Sequence, residues 1–253
     1  MTTSDLTQEV IRWFGETGYP LEMHTARAMR QGGFSVESSA VFSDPETSKS
    51  REIDVLAWKR DATAAYACLF PIECKASKKP WVVLTSPNQE YSFGGLWIGT
   101  YSKAARSAFG PKVLDFVRIY GEVFGGFTGG FGLKQAFGGE HDPAYSACIS
   151  LLKACRSLCD SKDESQIEFS FPTIVVDTPI FELDLAIDGT VSVREVPQSH
   201  FNFSAHLDEY TKLVIHVVSK SALQEHSAKC SQLFDAYRAL FTEEISALFK
   251  SGT

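Results

Sequence analysis

Apolar residues recur along this chain with two different periods, and the change from one to the other marks the elements. An amphipathic stretch over residues 6–14 ends at Gly15-Glu16-Thr17-Gly18; a second helix is expected from Pro20, suited to a first helical turn, to the stop at Gly32. Residues 34–42 read as a strand carrying Val36 and Val41, closed by a turn at Asp44-Pro45-Glu46. The runs 52–59 and 66–76 are rich in β-branched and aromatic residues and flank the short stretch 60–65, which predicts a hairpin.

Beyond Lys79 the pattern weakens, and residues 81–142 are read as an insertion. Within it, 81–85 can extend as a strand and 103–120 as a helix. The Gly- and Phe-rich stretch 121–139 reads as a surface loop with a few anchoring aromatics, ahead of the alternative of a substrate lid. Tyr145, Cys148, Ile149, Leu152, Cys155 and Leu158 recur at helical spacing, so 143–160 is expected to be a helix that covers a sheet. Residues 171–176 form an apolar run suited to a strand buried on both faces. Strands are expected at 181–187, 190–196 and 212–218, before one long final helix carrying Leu223, Leu233, Phe234, Tyr237, Leu240, Phe241, Leu248 and Phe249. The succession is that of a layered α/β domain.

With 253 residues, 44% hydrophobic and 22% charged, the chain suits one globular domain. No basic leader precedes an apolar run, and no stretch approaches the roughly 20 apolar residues of a membrane span, so a cytoplasmic location without membrane contact is expected. The six cysteines are expected as reduced, buried thiols. Cys155 and Cys159, four apart, could share a metal, but packing is the favoured reading. The net charge of -7 sits uneasily with nucleic-acid binding, yet a local basic face can coexist with an acidic total. There is no G-x-S-x-G or P-loop pattern, and the six histidines, His141 among them, show no ligand-like spacing and are given no catalytic role.

One constellation carries chemistry. If the hairpin turn centres on Thr63 and Ala64, residues whose numbers sum to about 127 oppose one another, and Asp54 faces Glu73. Two opposed carboxylates are destabilising unless a cation lies between them. Strand alternation projects Glu73 and Lys75 to one face. Hard oxygen ligands suit Mg²⁺, with Mn²⁺ able to substitute, and the backbone carbonyl of Cys74 could add a further oxygen. Lys75 could then orient a water or stabilise developing charge. Glu52 is read as structural.

Asp54, an 18-residue gap and Glu73-Cys74-Lys75 resemble the D-x(n)-E-x-K signature of the PD-(D/E)xK, restriction-endonuclease-like nucleases. The family's proline is absent, since Ile53 precedes Asp54. The resemblance implies an αβββαβ core over about 19–80 and 143–177, with the insertion at 81–142 and a C-terminal strand-helix extension at 178–253, all in a single nuclease-like domain. It also implies that Glu22, in Tyr19-Pro20-Leu21-Glu22, assists metal binding through water. The expected activity is metal-dependent hydrolysis of DNA phosphodiester bonds, as an endonuclease or exonuclease in restriction, phage defence or repair. A homodimer or a partner protein is left open. The alternative is a non-cleaving nuclease-fold subunit that binds or assembles through its long C-terminal amphipathic helix.

Other candidates stay open. Arg51 either meets a phosphate or makes a surface ion pair, and Lys78 and Lys79 either meet a nucleic-acid backbone or form a solvated turn. Trp81 is read as a core or loop anchor ahead of a base-stacking residue, and Asn88 and Gln89 as ordinary polar loop residues ahead of base readers.

Overall fold

The computed structural model describes residues 3–86, 97–125, 130–139, 142–159, 165–207 and 210–251; Asn88, Gln89, His141 and the 126–129 part of the Gly/Phe stretch lie outside them. Two helices open the chain, α1 (Thr3–Gly15) and α2 (Tyr19–Gln31), the second with Pro20 in its first turn. Gly32 ends α2 as expected, and the tertiary structure adds a second reason for glycine there. A Cβ at Gly32 would lie 1.9 Å from Ser227 Oγ on a C-terminal helix.

Strands β1 (Ser35–Ser43), β2 (Ser50–Arg60) and β3 (Tyr66–Lys75) are antiparallel neighbours. The β2–β3 register runs from Arg60↔Ala67 to Val55↔Ile72, the pairing sum of 127 read from the turn. On its other edge β3 takes two parallel partners, β7 (Ile167–Ser170) along Tyr66–Leu69 and β8 (Thr173–Val176) along Ile72–Lys75. Pro172, which has no N–H to donate, separates them and shortens the strand expected over 171–176. A short β5 (Thr100–Tyr101) pairs with β7, while β12 (Tyr210–Ser219) and β11 (Gln198–His206) extend the sheet beyond β8. A second mixed sheet has the order β10 (Val191–Val196), β9 (Ile180–Leu185), β4 (Trp81–Leu84), β6 (Gly132–Gln135). The molecule is therefore a mixed α/β structure with two mixed sheets.

The large sheet is covered on both faces. On one lie α2, α4 (Val113–Phe124) and α6 (Leu223–Leu240), enclosing Met29, Phe70, Phe116, Phe169 and Tyr237. On the other, α5 (Pro143–Cys159) and the second sheet enclose Ile53, Trp81, Leu151, Ile174 and Ile215. Trp81 is fully buried as a core anchor.

Three expectations are corrected. The stretch read as an insertion holds β4, β5, α3 (Lys103–Phe109), α4 and β6, and it supplies core rings at Phe109, Phe116 and Tyr120. Gly110-Pro111 interrupts the helical period there, so the pattern looked weaker than the burial it produces. The final helix is two, α6 and α7 (Thr242–Ser251), separated at the buried Phe241. Its apolar residues Leu223, Leu233, Phe234 and Tyr237 are inside the core, so most of this face is not an available partner surface; Leu240 and Leu248 are half-buried and Phe249 is exposed. Among the described residues no helix is long and apolar enough to cross a membrane, and the six cysteines are free thiols, five buried and Cys74 half-buried.

Three histidines that are far apart in sequence meet in the interior. His200 and His216 pair across β11 and β12 with rings 5.7 Å apart, and His226 of α6 lies 5.6 Å from His216. The Tyr120 hydroxyl bonds His216 Nε2, and Thr173 Oγ1 lies 3.4 Å from His226 Nε2. Burial holds His200 and His226 at about 4, the Glu182 charge opposing the shift at His200 and Lys229 adding to it at His226. It holds His216 well below the ordinary range as well.

The unfolded chain takes up protons at these positions near pH 6.5, the native chain only below about 4. The stability they contribute is therefore complete above about pH 6.5. It is lost as pH falls toward 4, at up to about 1.4 kcal/mol per pH unit for each histidine. Urea midpoints measured between pH 7.5 and 4.5 should fall steeply below 6.5; a flat profile would contradict the burial of neutral imidazoles.

Candidate active site

The site is built where the β1–β2 ladder skips a pair and the β2–β3 ladder ends. The β1–β2 pairing steps from Ser38↔Val55 to Ala40↔Ile53 and omits Ser39 and Asp54, and the β2–β3 pairing ends at Val55↔Ile72. Ser39, across from Asp54, has φ +54°, a left-handed conformation that costs a non-glycine residue on the order of 1 kcal/mol. Here the strands also change face. Val55 belongs to the core on the α2 side and Ile53 to that on the α5 side, although residues two apart normally share a face. The kink leaves Asp54 half-buried, its Oδ2 accepting the Cys74 N–H at 2.7 Å. The carboxylate thus takes a donor at the end of β3.

Glu73 is buried on the α5 side. Its Oε1 accepts from Ser150 Oγ of α5 at 2.7 Å, and its Oε2 accepts from Lys75 Nζ at 2.5 Å. Each oxygen retains a second lone pair, so neither bond closes Glu73 to a further partner. Glu22 comes from the first turn of α2, and the intervening Cys74 thiol turns the other way, toward Thr25.

Electrostatics bind these residues into one cluster. Burial, then the Glu73 charge, raises the proton affinity of Asp54. Burial, then the charges of Asp54 and Glu52, does the same for Glu22. Burial pulls Lys75 down, but the charge and hydrogen bond of Glu73 outweigh it and the ammonium is held more firmly than usual. The charges of Glu73 and Glu52 therefore bear on Asp54 and Glu22 beside a single lysine, an arrangement that a cation would relieve. Among the described residues no three His, Cys, Asp or Glu side chains form a ready metal cage. Mg²⁺ needs only one or two carboxylates because it keeps several waters, and Asp54 and Glu73 are the pair that could provide them.

Arg51, Lys78 and Lys79 lie outside this cluster. Arg51 Nε donates to Asp44 Oδ2 at 3.2 Å, an ion pair with the β1–β2 turn and not with the neighbouring Glu52. Lys78 is exposed, and Lys79 Nζ donates to the Phe137 carbonyl at 2.6 Å.

The sequence reading missed three residues. Glu52 was read as structural, yet its charge acts on both Glu22 and Asp54; two residues from Asp54 on one strand, it was legible from spacing alone. Ser150 was invisible because only the packing of α5 brings it to Glu73. Asp44, fully buried, accepts from the N–H groups of Glu46 and Thr47 and from Lys153 Nζ at 3.0 Å, which ties the β1–β2 turn to α5. These donors hold its carboxyl well below the usual range against the cost of burial. A groove of about 490 Å³ beside the cluster is walled by Arg51, Glu52, Tyr145, Ser150 and Lys153.

The raised Asp54 predicts a gain from removing its charge. Ionisation of this group opposes folding as pH rises through its native pKa, and the penalty is absent below the unfolded value. Asp54→Asn keeps an acceptor for the Cys74 N–H. In EDTA at pH 7 it should raise stability by about 1 kcal/mol, an advantage that disappears below about pH 4. Thermal unfolding at the two pH values measures this, and a loss of stability at pH 7 would show that the carboxylate is structural. Compared with family models, curated proteins and solved structures, the chain matches none.

Proposed function

We propose that this chain is a divalent-metal-dependent phosphodiesterase acting on DNA, built on a restriction-endonuclease-like core. The order α2, antiparallel β1–β2–β3, crossover helix α5 and a β8 parallel to β3 supports the αβββαβ reading. The observation that carries the proposal is the gathering of Glu22, Asp54 and Glu73 around Lys75, with Glu73 bonded to Lys75 and Asp54 to the Cys74 N–H, where the β1–β2 ladder skips a pair and the β2–β3 ladder ends. A purely structural pair of inner strands has no use for that destabilising arrangement.

Asp54 and Glu73, with the Cys74 carbonyl, would hold the ion directly, and Glu22 through a water. An Mg²⁺ or Mn²⁺ ion held by these residues would supply an acidified water and neutralisation of charge on the scissile phosphate. Lys75 stays protonated, so it serves as a hydrogen-bond donor that orients the water and meets charge developing on the phosphate, not as a base. Ser150 fixes the orientation of Glu73 by occupying one lone pair of Oε1. Arg51 and Lys153 line the adjoining groove, where a phosphate backbone can run.

Purified protein is incubated with supercoiled plasmid, linear duplex and single-stranded DNA in Mg²⁺, Mn²⁺ or EDTA. Cutting should require the metal and fall at least about a hundredfold in both Asp54→Ala and Lys75→Ala. Folded wild-type protein that binds Mn²⁺ but cuts none of the substrates would point instead to a non-cleaving subunit of the same fold.

A further inference from the structure

The apolar side of α1 is exposed. Leu6, Val10, Ile11 and Trp13 each keep more than half of their surface accessible, and the helix packs chiefly against α2. A helix of 13 residues is marginal in water without tertiary contacts, and a contiguous apolar patch of this kind marks an interaction surface. Tyr19 and Met23, also more than half exposed, continue the patch onto α2.

Beside the patch lies a groove of about 540 Å³ with an apolar floor of Phe14, Pro20 and Met23, bordered by His24 and by the cationic Arg27 and Arg30. The helix that leaves its apolar side open is acidic on its other positions, carrying Asp5 and Glu9 against one Arg12. Groove and helix are thus complementary in both polarity and charge, and one chain bears both. A self-complementary pair of surfaces is what a two-fold dimer requires. An acidic helix is poorly suited to an anionic membrane, and an apolar floor poorly suited to phosphate.

We propose that two copies of this chain associate about a two-fold axis, each laying the apolar side of its α1 against the α1–α2 groove of the other, with Asp5 and Glu9 meeting the partner's Arg27 and Arg30. The arrangement does not depend on the catalytic reading, and its test needs neither DNA nor metal. Sedimentation of the full chain in EDTA at micromolar concentration should give twice the mass of one chain. Leu6→Glu with Trp13→Glu, both at exposed positions, should give the single mass with an unchanged circular dichroism spectrum. Arg27→Glu with Arg30→Glu should weaken association about tenfold or more, and adding Glu9→Arg to that variant should restore much of it. A wild-type chain of single mass up to ~100 µM overturns the dimer. A dimer indifferent to the apolar substitutions, or to the charge reversal, overturns this arrangement of it.

Discussion

Everything in this structure is arranged around a strand that must satisfy both of its edges at once. Strand β3 pairs antiparallel with β2 on one side and parallel with β7 and β8 on the other, and from Tyr66 to Glu73 every residue is buried. In such a position each backbone N–H and carbonyl must find a partner inside the protein, because water cannot reach it. Helices α2 and α6 cover one face for this reason, and α5 with the second sheet covers the other. Where the ladder with β2 ends, the Cys74 N–H is taken by the Asp54 carboxylate. The backbone requirement of the central strand thus places a charged group at its end.

That placement sets a conflict between stability and chemistry. Asp54 and Glu22 stand where burial and the charges of Glu73 and Glu52 make their own ionisation more costly, and one lysine does not neutralise the group. Ser39 adds backbone strain at the same point. Such costs persist because surrounding packing over-determines the local geometry. Here it comes from the Asp44 hub, which locks the β1–β2 turn to α5 through Lys153, and from Ser150, which ties α5 to Glu73. The same helix thereby braces the turn and aims the carboxylate.

Much of this was legible in the chain because it depends on local rules. Alternating and helical periods located α2, β1, β2, β3 and α5, and the turn at Asp61 to Ala65, where Ala64 adopts φ +57°, set the β2–β3 register that brings Asp54 near the end of β3. The Glu73-Cys74-Lys75 alternation told which side chains would share a face. The second sheet was not legible as a sheet: β4 and β9 are parallel neighbours separated by almost a hundred residues, and nothing in either strand names its partner. Strand β11, with Ser, His and Asn among its aromatics, has too weak an alternation to announce itself and exists by pairing with β12.

By itself, then, the sequence determined most of the segments that are helices and strands, from α2 to β3 and again at α5, β9, β10 and β12, the hairpin register, and the residue types available at the end of β3. Tertiary structure alone decided that the stretch after Lys79 and the C-terminal helices are core, that His200, His216 and His226 meet, that Ser150 reaches Glu73, and that α1 is the amphipathic helix left uncovered. The reason is the range of the forces involved. Dihedral preference, side-chain alternation and turn chemistry act over a few residues and leave a periodic trace in the chain. Burial and charge act between whatever surfaces the folded layers bring together, and a one-dimensional pattern carries no record of that choice.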